Sequence, residues 1–165
     1  MRVRRFGQDE RGGTAIEYAL LAPILIFLLF ATIEVGLVGM ISAGLDNGVT
    51  QAARMIRTGQ DDGPVDGAGF EGLVCASLGG DTADCRNRLQ VSVRRYASFS
   101  QALAAAQTPP DGAFEKGQAG DIIMVRAAYR WPMITPMLGM LSEPRPGPFE
   151  VTLDARAAFK NEPYE

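Results

Sequence analysis

The chain has 165 residues, a formal net charge of -3, 47% hydrophobic residues, no histidine and two cysteines. That length holds one membrane element and one modest globular domain. The small acidic balance excludes a basic surface for nucleic acid, and two thiols without histidine leave a zinc site short of ligands.

In chain order, Arg2, Arg4, Arg5 and Arg11 outweigh Asp9 and Glu10 ahead of an apolar run. From residue 19 to residue 40 the sole charge is Glu34, and at about 1.5 Å per residue this run crosses a ~30 Å hydrocarbon core. The positive-inside rule keeps the basic flank cytoplasmic and sends everything after residue 46 outward. As a cleaved signal peptide the run is too long, and its one late site, Ile41-Ser42-Ala43, fits the small-x-small pattern poorly. An uncleaved signal anchor fits the length and flanks but leaves the boundary GGTAIEY unexplained. Pro23 removes a backbone donor inside the helix, so a kink is expected over residues 19–23. Glu34 lies about 25 Å beyond Glu17 along a helix, at the opposite interface, either as a solvated boundary residue or as a polar contact to a partner helix.

Leu45, Val49, Ala52, Ala53 and Ile56 carry a helical stripe onward, with Asn47, Gln51, Arg54 and Arg57 off it, so a stalk is expected to end near residue 58, before Gly59. Residues 58–69, TGQDDGPVDGAG, read as a loop. Asp62, Asp66 and Gly67 approach a calcium-loop spacing, but Pro64 holds the third ligand position and Leu73 the twelfth, so the motif fails. A short helix is expected over 70–78. Cys75 and Cys85 fall in the exported part, where an oxidising compartment lets them pair.

Three later segments alternate with period two: Leu89, Val91, Val93; Ile123, Val125, Ala127, Tyr129, Trp131; and Phe149, Val151, Leu153, Ala155, Ala157, Phe159. They read as half-buried antiparallel strands of an α+β domain with three or four strands. Its one buried face is expected to be covered by the helical FSQALAAAQ together with the upper stalk. The organisation is therefore a leader over residues 1–12, a transmembrane helix and stalk over 13–58, and an exported domain over 59–165. Between the last two strands, Met133, Ile134, Met137, Leu138, Met140 and Leu141 form an apolar segment that either caps the sheet or offers a partner surface, for which Met133, Met137, Leu138 and Leu141 are the candidates.

The stretch Gly12, Gly13, Thr14, Ala15, Ile16, Glu17, Tyr18 resembles the G-x-x-x-x-E-Y prepilin signal of the Flp/Tad branch of type IV pilins. The following LAPILIFLLFATIEVG is similar to TadE-family pseudopilins, as is the terminal AAFKNEPYE, where Lys160 stands in place of the usual Arg. The resemblance implies a structural minor pilin, cut by a prepilin peptidase between Gly12 and Gly13, with Glu17 and Tyr18 serving assembly. Glycine at the cut lets an extended backbone approach the protease closely. Glu17 neutralises the new amine of Gly13 or of a neighbouring subunit at the edge of hydrocarbon.

The resemblance also implies the partners: a major Flp pilin, a second TadE-like or TadF-like pseudopilin, and an inner-membrane assembly platform. The expected location is the bacterial inner membrane with the domain in the periplasm, then the pilus. No cofactor is implied. A membrane-bound enzyme is the rival class, and it lacks a G-x-S-x-G elbow, a phosphate loop and a metal constellation.

Overall fold

The computed structural model describes residues 13–80, 82–135 and 149–163. In order they form helices α1 (Gly13–Thr58), α2 (Gly67–Ser77) and α3 (Ala83–Arg88), strand β1 (Leu89–Tyr96), helix α4 (Phe99–Ala105), and strands β2 (Ile122–Pro132) and β3 (Glu150–Lys160). The strands make one antiparallel sheet in the order β1-β2-β3, so the chain is α+β, a long apolar helix followed by a small sheet domain.

Helix α1 runs unbroken for 46 residues, through Pro23. Gly59 ends it with φ of 62°, a left-handed conformation that costs glycine nothing. The N–H of Gly59 donates to Ile56 O and that of Gln60 to Met55 O, the paired bonds of a Schellman cap. The stripe Leu45, Gly48, Val49, Ala52, Ala53 and Ile56 is buried at the three- and four-residue spacing that puts side chains on one helix face.

Small residues set how closely α2 crosses that face. Ser77 Oγ lies 3.0 Å from Gly44 O and 2.7 Å from Val74 O. A Cβ built on Gly48 would stand 2.2 Å from Ser77 Oγ and 3.1 Å from Val74 Cα, so only glycine permits this separation. Asp66 of the loop caps α2, accepting from Gly69 N at 2.7 Å, which gives a purely structural task to a residue of the failed calcium spacing.

The register aligns three rows across the sheet: Leu89, Tyr129 and Leu153; Val91, Ala127 and Ala155; Val93, Val125 and Ala157. These rows face α1 and α2 and form one core with Leu45, Val49, Ile56, Phe70 and Val74. The other face is covered as well, and here the sequence expectation is corrected. Instead of sharing a face with the stalk, α4 lies on the opposite side, packing Ala102 and Ala106 against Met124 and Tyr96. Arg126, on that second face, donates to Ala105 O at 2.8 Å and caps the C-terminus of α4. Burial on both sides explains why β2 is nearly continuously buried rather than alternating.

The outer edge of β1 is partly protected. Val93 N donates to Ala113 O and Glu115 N to Val93 O, both at 2.8 Å, and Arg94 pairs with Asp111 at the start of this segment. The hydrogen bond from Arg94, followed by that from Ala113 N, holds the Asp111 carboxyl below the usual carboxylate range. Strand β3 forms the other edge, with no further strand beside it among the described residues.

Candidate assembly surface

The first half of α1 touches almost nothing. Gly13, Glu17 and Tyr18 are exposed on it, and so are Ile16, Leu20, Leu21, Ile24, Leu25, Leu28, Leu29, Phe30 and Ile33. An 18-residue window of this helix has mean hydropathy 2.5, and it is the one helix among the described residues long and apolar enough to cross a membrane. Glu17 makes no hydrogen bond or ion pair among the described residues, so its carboxylate is available to a group outside the chain. Gly12 lies outside the described residues, as do Met137, Leu138, Met140 and Leu141.

Glu34 behaves differently, and neither expectation for it holds. It is 3% exposed, and its two carboxylate oxygens accept the N–H groups of Ile134 and of Thr135, the latter at 2.8 Å. Its partners are thus groups of this same chain, the backbone of Ile134 and Thr135 together with the Thr135 side chain, about a hundred residues away, rather than water or a second helix. Two successive N–H groups aimed at one anion form a small concave donor site, which a carboxylate fills with both oxygens. Met133 N donates to Phe149 O at 2.7 Å as the last rung beyond β2 and β3, so Ile134 and Thr135 stand where the ladder has run out. Glu34 supplies the acceptors that a third strand would otherwise provide.

At the opposite end, Asn161 ties three segments together. It is 2% exposed, its side-chain amide donates to Lys116 O at 2.9 Å and Gln118 O at 3.1 Å, and its backbone N–H donates to Asp121 O at 2.8 Å. Next to it, Glu162 N donates to Arg57 O at 2.9 Å and the Glu162 carboxylate pairs with Arg57 at 2.8 Å. The terminal Asn-Glu pair therefore locks the end of β3 to the end of α1.

Cys75 and Cys85 are joined in a disulfide that links α2 to α3, with Cα atoms 6.0 Å apart. Closing a loop with a sequence separation of 10 stabilises the fold by about 3 kcal/mol on chain entropy. Helix α3, which no periodicity announced, is short and capped by Thr82 Oγ1 accepting from Cys85 N. Burial raises the Glu71 carboxyl on neighbouring α2, against the opposing attraction of Arg86.

Met133 is half-buried at the end of β2, whereas Ile134 is 78% exposed. An open groove of about 450 Å³ crosses the α4 side of the sheet, and several arginines line it. Arg126 caps α4, Arg130 donates to Asn87 O, and Arg88 pairs with Asp84, so each of these three already has a structural task. No group of three or more histidine, cysteine, aspartate or glutamate residues is arranged to hold a metal among the described residues.

No curated protein and no solved structure matches the chain. The family model described as TadE-like protein matches residues 12–54, a stretch that includes both Glu17 and Glu34 of α1.

Proposed function

We propose that this chain is a structural minor pilin of a Tad pilus, anchored in the inner membrane through α1, cut between Gly12 and Gly13, and assembled through the exposed first half of that helix. The observation that carries this reading is the TadE-like match over residues 12–54 on a helix whose first half leaves most of its apolar side chains exposed. In it, residues 1–12 are the leader, 13–58 the membrane helix and stalk, and 59–165 the exported domain. Glu17, one helical turn after Gly13 and free of partners among the described residues, meets the amine that cleavage creates. Tyr18 lies beside it at the membrane boundary.

Size argues for a sparse position. Pilin helices pack about 8–10 Å apart, leaving no room for a domain with a radius of gyration of ~13 Å on each one. The chain therefore belongs to an initiating or tip complex. It would bind a second TadE-like or TadF-like pseudopilin through the apolar segment 132–141 or through the β3 edge before major Flp subunits are added by the assembly platform.

Mass spectrometry of the mature chain tests the cut: the expected N-terminus is Gly13, and Gly12→Val is expected to leave the precursor intact. A mature chain beginning at Met1 supports an uncleaved anchor instead. Quantitative proteomics of sheared pili tests the position, and amounts near those of the major subunit would exclude a tip role.

A further inference from the structure

Where the sheet domain meets α1, apolar side chains lie around the Ile134 and Thr135 N–H groups that Glu34 accepts. On the helix, Ile33, Val35, Leu37 and Met40 are exposed at the level of Glu34. On the domain, Ile134 and Phe149 are 78% and 52% exposed, and they flank the rung that joins Met133 to Phe149. This rim continues the bare surface of the membrane helix without a polar break among those residues.

Depth along the helix gives the rim its location. From Gly13 to Glu34 the helix advances about 32 Å, close to the ~30 Å thickness of hydrocarbon, so Glu34 stands where acyl chains give way to headgroups. Irregular backbone that touches hydrocarbon is tolerated only when its N–H and C=O groups find partners, and at the boundary a partner within the protein replaces the water that acyl chains exclude. Ile134 and Thr135 lie beyond the end of the ladder, and both of their N–H groups are taken by Glu34. Aromatic residues bracket the stretch, Tyr18 at one end and Trp131 beside the rim at the other, in the positions that amphipathic rings favour at the two interfaces.

We propose that the rim formed on the domain by Ile134 and Phe149 is seated in the headgroup region of the outer leaflet, with Glu34 as the internal acceptor that satisfies the N–H groups of Ile134 and Thr135 there. The occupant of the apolar surface is lipid, and the domain rests on the bilayer before assembly instead of standing clear on a free stalk. This rests on the membrane-anchored reading of α1.

The test uses the full chain in vesicles of phosphatidylethanolamine and phosphatidylglycerol, with one nitroxide at a time on Ile134→Cys, Phe149→Cys, Leu28→Cys or Gln60→Cys. The native cysteines are bridged and take no label. The readout is the ratio of collisions with oxygen, which concentrates in lipid, to collisions with a water-soluble nickel chelate. Ile134 and Phe149 are expected to show a ratio at least threefold above Gln60 and below Leu28, and adding Glu34→Ala is expected to move the Ile134 label toward the Gln60 value. Ratios equal to Gln60, with Leu28 in lipid, would overturn the proposal by placing the rim in water. Labels at both rim sites shielded from both reagents would overturn it in favour of a protein partner. An aqueous ratio at Leu28 would refute the membrane reading itself, and the seat with it.

Discussion

One helix carries two apolar surfaces, the bare surface of its lower half and the buried face of its upper half, and they differ in side-chain size. Up to Met40, α1 displays Leu, Ile, Phe and Met to the outside. From Leu45 onward its buried face is built largely of Gly, Ala and Val, against which α2 and the sheet close. Large apolar side chains spread contact over mobile acyl chains. Small ones let protein backbones approach, as at Gly48, where dispersion contacts accumulate at close range. The apolarity of a face alone thus does not reveal whether the folded domain covers it.

The contrast is sharpest for two phenylalanines. Phe70 is fully buried against the upper half of α1, and Phe70→Ala is expected to cost about 3–5 kcal/mol, a large share of a small domain's stability. Phe30→Ala removes the same ring from the bare half and is expected to leave domain unfolding unchanged. Thermal unfolding in detergent, followed through Trp131, the single tryptophan, measures both. Equal losses for the two variants would break the division of the helix.

A smaller effect is expected for glycines. Gly48→Val forces side-chain atoms into Ser77 and the α2 backbone and is expected to cost about 2 kcal/mol, whereas Gly36→Val meets nothing within 4 Å and is expected to leave the domain's midpoint where it was. The smallest change tests the boundary itself. Glu34→Gln keeps the shape but replaces one acceptor oxygen with a donor, leaving one buried N–H of Ile134 or Thr135 unpaired, a loss of about 1–2 kcal/mol. Amide hydrogen exchange at those two positions is expected to accelerate in Glu34→Gln and to stay as it is in Glu17→Gln.

How much of this was legible follows from the kind of signal each feature leaves. The stripe Leu45, Val49, Ala52, Ala53, Ile56 and the alternation along β1 and β3 are periodic, and periodicity survives in one dimension; the extent of α1 and the α+β architecture were read from it. The placement of α4 was not, because Ala102 and Ala106 fit either face of the sheet. The doubly buried pattern of β2 signals a second layer only once the register is known. The tasks of Glu34 and Asn161 were hidden for another reason: each is held largely by backbone groups, and a backbone N–H or C=O is the same in every residue type. The Glu17 signal was legible as a motif, and among the described residues no partner for it appears.

Strand β3 and the length of α1 from Glu34 to Arg57 run side by side, each covering about 35 Å at 1.5 Å per helical residue and ~3.3 Å per strand residue, and Arg57 and Glu162 join them at the far end. Both elements therefore point away from the bilayer when α1 stands in it. Any copies inserted with the same orientation are related by rotation about the membrane normal, an operation that preserves this direction. Antiparallel self-pairing of β3 about Ala155 would match Glu150 with Lys160 and Asp154 with Arg156, yet it requires one copy to be inverted. Membrane topology forbids that symmetry, and the free edge is left to a strand that runs toward the bilayer or to parallel pairing with one that runs outward.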